Sequence, residues 1–430
     1  MITTMRPKEN LQTFKGNPLV NAAIFLDSRV LMNKAALDVA CDVPIVLNAN
    51  NKVERRERFN RAIIPWLIAY ASPFITLPLT NRLAMKHIAK LSSFNGKEAN
   101  LIKISNKFLT SNELLKNGAK EISQKFDINL SEVLKKCNGD YGVLRKKLTN
   151  AKTAVTSFDF LITTFMAGSI GFLNNAQTKK KTGQKGFSAE FEMADKQTVE
   201  ARTEGFNKTS DKFKKAYIGT LAGLTLLPLA LRKGMLANNS TKLNSFIKKH
   251  ADKFDYKDGI FMSRFPFFLM AVGSYLGIFG ASRNETEIKD NAIRSVFSLT
   301  AFFGGDLLIG STLARLSDKF LKTDLLEKNA PKTLLNKIVP PTKKLENLTG
   351  RSKNIGAALF WINLASLAGF MGWALPLTLN KMIKKDVDNC VKNNATPQSN
   401  NNYSMKAFLE KSKDTNMLQL KLEPTQLYDI

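Results

Sequence analysis

Six apolar stretches, 62–79, 154–173, 216–231, 263–281, 295–314 and 355–379, constrain this chain most, because none contains more than one charged residue. Stretches of this length are long for soluble core helices and match what a lipid bilayer requires. Between them lie Lys- and Asn-rich segments, so the 430 residues combine 44% hydrophobic content with a net charge of +28. The pattern predicts an all-α, polytopic helical membrane protein with five or six apolar segments, some Pro-interrupted or re-entrant. The expected location is integral to a plasma or bacterial inner membrane. The start of the chain shows no apolar core of signal-peptide type, so insertion is expected to begin at the first internal segment.

Residues 1–61 read as an amphipathic helical N-terminal region. Leu19, Val20, Ala23, Ile24, Val30 and Leu31 recur at helical spacing, Pro18 suits a first turn and Pro44 should end the helix before it. Segment 62–79 carries Pro65, Pro73 and Pro78, which should kink or break it. Residues 80–153 form a basic helical loop region, and 154–379 the main membrane bundle. Segment 216–231 reaches only about 24 Å as a helix, less than a hydrocarbon core of about 30 Å. Residues 380–430 read as a polar, flexible tail.

Charge gives conflicting orientations. The connection 282–293 is the one that is not net positive, which places it outside by the positive-inside rule. Lys52, Arg55, Arg56, Arg58 and Arg61 place the start of the first segment inside, and six full crossings cannot satisfy both. A third segment that fails to cross reconciles them. Spacing also suggests a diverged two-segment repeat. Pro78, Pro228 and Pro376 each follow a leucine near a segment end, with a cation soon after, and Asp159 and Asp306 begin similar "DFLITT" and "DLLIGST" runs. An inverted repeat of this kind is common in secondary transporters.

Candidate site residues follow from the same segments. Asp306 lies mid-segment, where a carboxylate costs about 2.5–3.5 kcal/mol, so it is either a packing carboxyl or part of an ion or proton path. Asp159, nearer a segment end, and Asn363 are the other intramembrane polar candidates. Gly219 with Gly223 and Gly273 with Gly277 form G-x-x-x-G pairs, and Gly305 and Gly369 complete small-x-x-x-small pairs with Ala301 and Ala365. Small residues one turn apart let helices approach closely in lipid. Lys179, Lys180, Lys181 and Lys185 suit anionic lipid head groups, and the lysine clusters lack the aromatic interleaving that nucleic acid would call for. Asp252, Asp255 and Asp258, at three-residue spacing on one expected helix face, offer a weak metal alternative against a solvated charged face.

The three cysteines and two histidines provide neither a disulfide framework nor the usual zinc spacings, and no cofactor is expected. The sequence lacks the phosphate-loop, metalloprotease and nucleophile-elbow motifs. The expected function is therefore a non-enzymatic membrane scaffold or lipid-surface protein. An ion-coupled carrier using Asp306 is the alternative, and a membrane-embedded enzyme acting on lipid head groups is the third reading.

Overall fold

Side-chain caps fix where the helices start. Asn51, Ser111, Asp140, Thr241 and Asn284 each accept a backbone N–H two or three residues ahead, satisfying donors that a helix start leaves free. In a computed structural model, described for all residues except 1–16, 29, 69–74, 92–96, 205, 240, 258–260, 263, 330–333 and 396–430, these starts give an all-helical fold. The only strands among the described residues are the two-residue antiparallel pair Tyr256–Lys257 and Phe261–Met262.

In chain order the helices are α1 (Pro18–Ser28), α2 (Val30–Leu47), α3 (Lys52–Trp66), α4 (Thr76–His87), α5 (Asn112–Asn117), α6 (Ala119–Phe126), α7 (Leu130–Lys135), α8 (Tyr141–Thr182) and α9 (Lys196–Glu204). They continue as α10 (Asn207–Leu236), α11 (Lys242–Lys249), α12 (Arg264–Gly280), α13 (Glu285–Thr300), α14 (Asp306–Leu321), α15 (Leu334–Ile338), α16 (Gly350–Ala368) and α17 (Leu375–Ala395). π-Helical turns at Ala301–Gly305 and Gly369–Ala374 join α13 to α14 and α16 to α17. The chain divides into two compact units, one of Lys34–Gly304 with Ala368–Lys384, the other of Met1–Asn33, Gly305–Leu367 and Lys385–Ile430.

Three long helices organise the larger unit. Ser210 of α10 donates to the Gly280 carbonyl, the Tyr217 hydroxyl to the Thr164 and Phe165 carbonyls, and Leu224 packs with Phe160 and Met270. A Cβ on Gly277 would lie 2.6 Å from the Gly168 carbonyl oxygen, and one on Gly273 2.8 Å from Thr164. These contacts make α10 antiparallel to both α8 and α12, with α8 and α12 parallel. α13 turns back along α12, since Asn291 donates to Ser282 and Tyr275 to Ser298. At the start of α8, Leu144, Leu148, Ala151 and Val155 join residues of α4–α7 in a hydrophobic core that also takes Met235 and Ala251. Beside it Lys152 donates to the Ile104 carbonyl and to Asp255, which also accepts from Ser105 and the Asn106 N–H.

The smaller unit packs Ala23 of α1 with Ala314, Leu325, Leu345, Leu348 and Ala357. Asp27 accepts the Leu345 N–H, and Asp318 those of Leu325 and Leu326.

Two helices, Tyr141–Thr182 and Gly350–Lys392, are long and apolar enough to cross a membrane. Only 39% and 28% of their apolar windows are buried. On α8 the exposed apolar residues include Phe158, Leu161, Phe165, Met166 and Leu173, and on α10 Ile218, Leu226 and Leu229.

Several sequence expectations change. The third segment is not a short element. It lies within the 30-residue α10, which carries Pro228 inside it and packs along α8 and α12. α2 runs past Pro44 to Leu47, because a proline one turn from the helix end removes a single donor. α1 exposes Leu19 and Phe25, and α2 exposes Val39 and Val43. Most of 282–293 is the first turns of α13, and α17 extends to Ala395 into the expected flexible tail, whose remainder, 396–430, lies outside the described residues. Region 80–153 is a folded core rather than loops.

Two glycine substitutions separate packing from propensity. Gly277→Ala should lower thermal stability by about 1–3 kcal/mol, the range for overpacking. Gly219→Ala, where a Cβ meets nothing within 4 Å, should raise it by up to about 1 kcal/mol. Thermal melts of the two variants and the parent check both signs.

Candidate functional site: a buried ionic layer

On α3 the residues Glu54, Glu57, Arg58 and Arg61 share one helix face. That face meets the other end of α8 from the hydrophobic core just described. Glu57 accepts from Thr178 (2.5 Å) and Ser188 (2.7 Å), while Asn60 donates to Asn174 and Gln177. From the turn after α12, Arg283 places Nη1 and Nη2 on the two oxygens of Glu57, at 3.1 and 2.9 Å. The same guanidinium gives Nε and Nη2 to Glu287, both at 2.9 Å. Arg61 closes the ring on Glu287 and Asn291, and Arg202 pairs with Glu190, which also accepts from Asn284. Glu57 is 2% exposed, Arg283 6%, and Glu190 and Glu287 0%.

Burial and pairing compete in this layer, and the balance differs between pairs. Burial alone would raise Glu57, but Arg283, Arg61 and the Thr178 hydroxyl bring its carboxyl down to about 2. Arg283 is held above its usual range: burial opposes its charge, but Glu287 and Glu57 together outweigh it. For Glu54 and Arg58, 2.5 Å apart, burial wins on both partners, raising the acid and lowering the base. Burial lifts Glu190 to about 7 despite Arg202. A buried charge with every hydrogen-bonding position filled is tolerable, whereas one that loses its partner is not.

Beside the layer a cavity of about 190 Å³ is lined by Asp42, Arg58, Arg61, Tyr275, Arg294 and apolar side chains including Ile278 and Met371. Arg294 gives its Nε to Asp290, and its Nη1 and Nη2 find no hydrogen-bond partner among the described residues. Asp42 accepts from Trp66 at 2.9 Å, and burial, with Asp38 nearby, lifts it to about 7. Cys41, also on the cavity wall, is pushed up to about 12 by burial, so its thiol stays protonated and unreactive.

The residues singled out from sequence lie elsewhere. Asp306 is the first residue of α14, directly after a π-helical turn, and its side chain lies outside the described residues. Asp159 is half-buried on α8 and accepts from Thr163 one turn on. Asn363 is half-buried on α16, facing Gly310 of α14. Pro78 is exposed in the first turn of α4, Pro228 is buried inside α10, and Pro376 is buried at the start of α17. Such different settings do not reproduce the repeat that their spacing suggests. Gly219, Gly223 and Gly369 have nothing within 4 Å of a built Cβ, and Gly305, half-buried, ends the first π-helical turn. Lys179, Lys180, Lys181 and Lys185 are exposed at the ionic-layer end of α8.

The three aspartates do not share a helix face. Asp252 is exposed in a 3₁₀ turn, Asp255 is engaged by Lys152, and Asp258 lies outside the described residues. Among the described residues no group of three or more His, Cys, Asp or Glu could hold a metal ion. The ionic layer is not legible in the sequence because its charged members are up to 233 positions apart, from Glu54 to Glu287. The i, i+3, i+4, i+7 charges of α3 were the one local signal. No protein-family model, curated protein or solved structure shows a significant match to this chain.

Two measurements test the layer. Arg283→Leu strands two buried carboxylates and should cost about 3–5 kcal/mol, and Arg283→Lys should recover little because it lacks the bidentate fork. Chemical denaturation of the three proteins reads the loss. For Asp42 the folded carboxyl titrates above its usual 3.8. The stability it contributes is therefore full below about pH 4 and lost as pH rises to about 7. Asp42→Asn should gain stability relative to the parent across that window, and melting temperatures at stepped pH follow it.

Proposed function

We propose that this chain is a multi-pass membrane protein whose role is non-enzymatic: it holds a basic, folded helical layer and a buried ionic layer on opposite sides of a bilayer. One observation carries this reading. Lys152 and Thr178, at the two polar ends of α8, are 26 residues apart, or roughly 39 Å of helix, enough to clear a hydrocarbon core of about 30 Å with interfacial depth to spare. Between them Phe158, Leu161, Phe165, Met166 and Leu173 are exposed, more large apolar side chains facing outward than a soluble core helix is expected to show.

Other features support it. α8, α10 and α12 pack along one another between the two polar ends, which supports a bundle of the expected polytopic kind. Gly168, Gly273 and Gly277 let these three helices approach closely. The lysines 179–181 and 185 sit where they can meet anionic head groups. In the ionic layer both oxygens of Glu57 are taken up by Arg283, Thr178 and Ser188, an arrangement that suits clamping rather than turnover.

The orientation conflict then has a physical origin. Glu285, Glu287 and Asp290 lie at the same end as Arg58 and Arg61, and Glu287 pairs directly with Arg61. An acidic connection here reflects partnership with arginines, not an opposite side of the membrane.

An ion-coupled carrier is the second reading. It is favoured by the π-helical turns at Ala301–Gly305 and Gly369–Ala374, since such interruptions recur at functional sites.

Single cysteines at exposed Lys120 and Lys181, in a background without Cys41, Cys137 and Cys390, test the crossing. In sealed vesicles of one orientation, a membrane-impermeant thiol reagent should label one of Lys120→Cys and Lys181→Cys from outside and the other only after permeabilisation. Labelling of both from the same side would overturn the reading.

A further inference from the structure

The short helix α11 carries a surface that the bundle leaves unused. Ile247 turns inward, packing on the hydrophobic core at the start of α8 and on the last turn of α10. A Cβ on Gly234 would lie 2.5 Å from the end of the Ile247 side chain. That contact and the Lys248 bond to the Ala237 carbonyl fix how the helix is rotated. Leu243 and Phe246, on the adjoining sector, are left 67% and 49% exposed. Phe246 rests edge-on against His250, its neighbour one turn later. Lys242 and Lys249 flank this apolar sector and Lys253 follows it, all three exposed.

The depth of α11 follows from α10. Leu226 and Leu229 are the last strongly exposed apolar residues on that helix, and Arg232 and Lys233 come next. Gly234, on which α11 rests, is five residues beyond Leu229, roughly 7.5 Å along the axis. An amphipathic helix that lies on a bilayer buries its apolar face about 5–10 Å into the boundary between head groups and acyl chains. A helix docked at Gly234 is thus level with that boundary, with Leu and Phe on one sector and lysines at its edge.

We infer that α11 is an interfacial anchor, whose Leu243 and Phe246 enter the head-group region of the membrane while Lys242, Lys249 and Lys253 engage anionic lipid. The inference rests on the membrane reading above and adds a specific surface, on the opposite end of the bundle from Lys179–Lys185. The partner is a lipid surface rather than a protein groove, because the apolar sector lies at the depth along α10 where the head groups begin and Lys242 and Lys249 edge it, with Asp252 the one exposed acid nearby among the described residues.

The test uses the full-length chain without native cysteines, reconstituted in phosphatidylcholine vesicles with or without phosphatidylglycerol. A fluorophore is placed at Phe246→Cys or, as a reference in the middle of the α8 band, at Phe165→Cys. Lipids carrying a nitroxide near the head group or deep in the acyl chain quench it. Phe246→Cys should be quenched best by the shallow nitroxide and more strongly when phosphatidylglycerol is present, and Phe165→Cys best by the deep one. Changing Lys242 or Lys249 to Glu should weaken the phosphatidylglycerol-dependent binding roughly fivefold or more per lysine lost, at about 1 kcal/mol each. Quenching at 165 without quenching at 246 overturns the anchor and leaves the membrane reading standing. Absence of quenching at both positions overturns the membrane reading itself. Equal quenching at 246 in both vesicle types overturns the anionic-lipid part.

Discussion

Arg283 stands between two carboxylates, Glu57 and Glu287, with four of its hydrogen bonds at 2.9–3.1 Å and almost no exposure to water. Through Glu57 it reaches α3 and, by way of Thr178 and Ser188, the end of α8 and the connection that follows. Through Glu287 it reaches α13 and Arg61. Four segments are therefore tied, directly or through Glu57, to the turn that carries Arg283. Taking these charges out of water is expensive, and the geometry is tolerable only because each oxygen of Glu57 and Glu287 has a donor. The rest of the larger unit is arranged so that this end can close: α8, α10 and α12 come together at Gly168, Gly273 and Gly277, which sets the spacing of the helix ends.

The opposite end of the bundle is built on different physics. There a hydrophobic core of Leu, Ile and Val side chains from α4–α8 does the packing, and the Lys152–Asp255 pair ties the approach to α12 to α8. Two ends held internally, one by charge pairing and one by hydrophobic burial, leave the sides of the bundle between them with apolar residues facing outward. In water that surface would be a liability. In lipid, as proposed, it would be the exterior.

Much of the architecture was legible in the sequence. Apolar runs with at most one charge each pointed to long helices. Gly273 and Gly277 could be read as close-approach positions because small residues at four-residue spacing have one plain use. Gly219 and Gly223 have the same spacing and face open space, since spacing cannot say which side of a helix meets a neighbour. Attention to Asp306 came from counting transfer costs within one segment, and that count has no access to what a helix packs against. The acids of 282–293 pointed to an opposite membrane side because the positive-inside rule treats charges as unpaired, yet they lie beside the arginines of α3.

The sequence by itself determined the helical content, the apolar segments and the basic connections, because these depend on local hydropathy, capping and periodicity. Only the tertiary structure decided that Pro44 and Pro228 sit within helices, that α10 runs the length of its neighbours, and that Glu57, Arg283 and Glu287 form one ionic layer. Those outcomes depend on contacts between residues up to 226 positions apart, and the free energy of a buried charge is set by which partners arrive beside it rather than by its own neighbours in the chain.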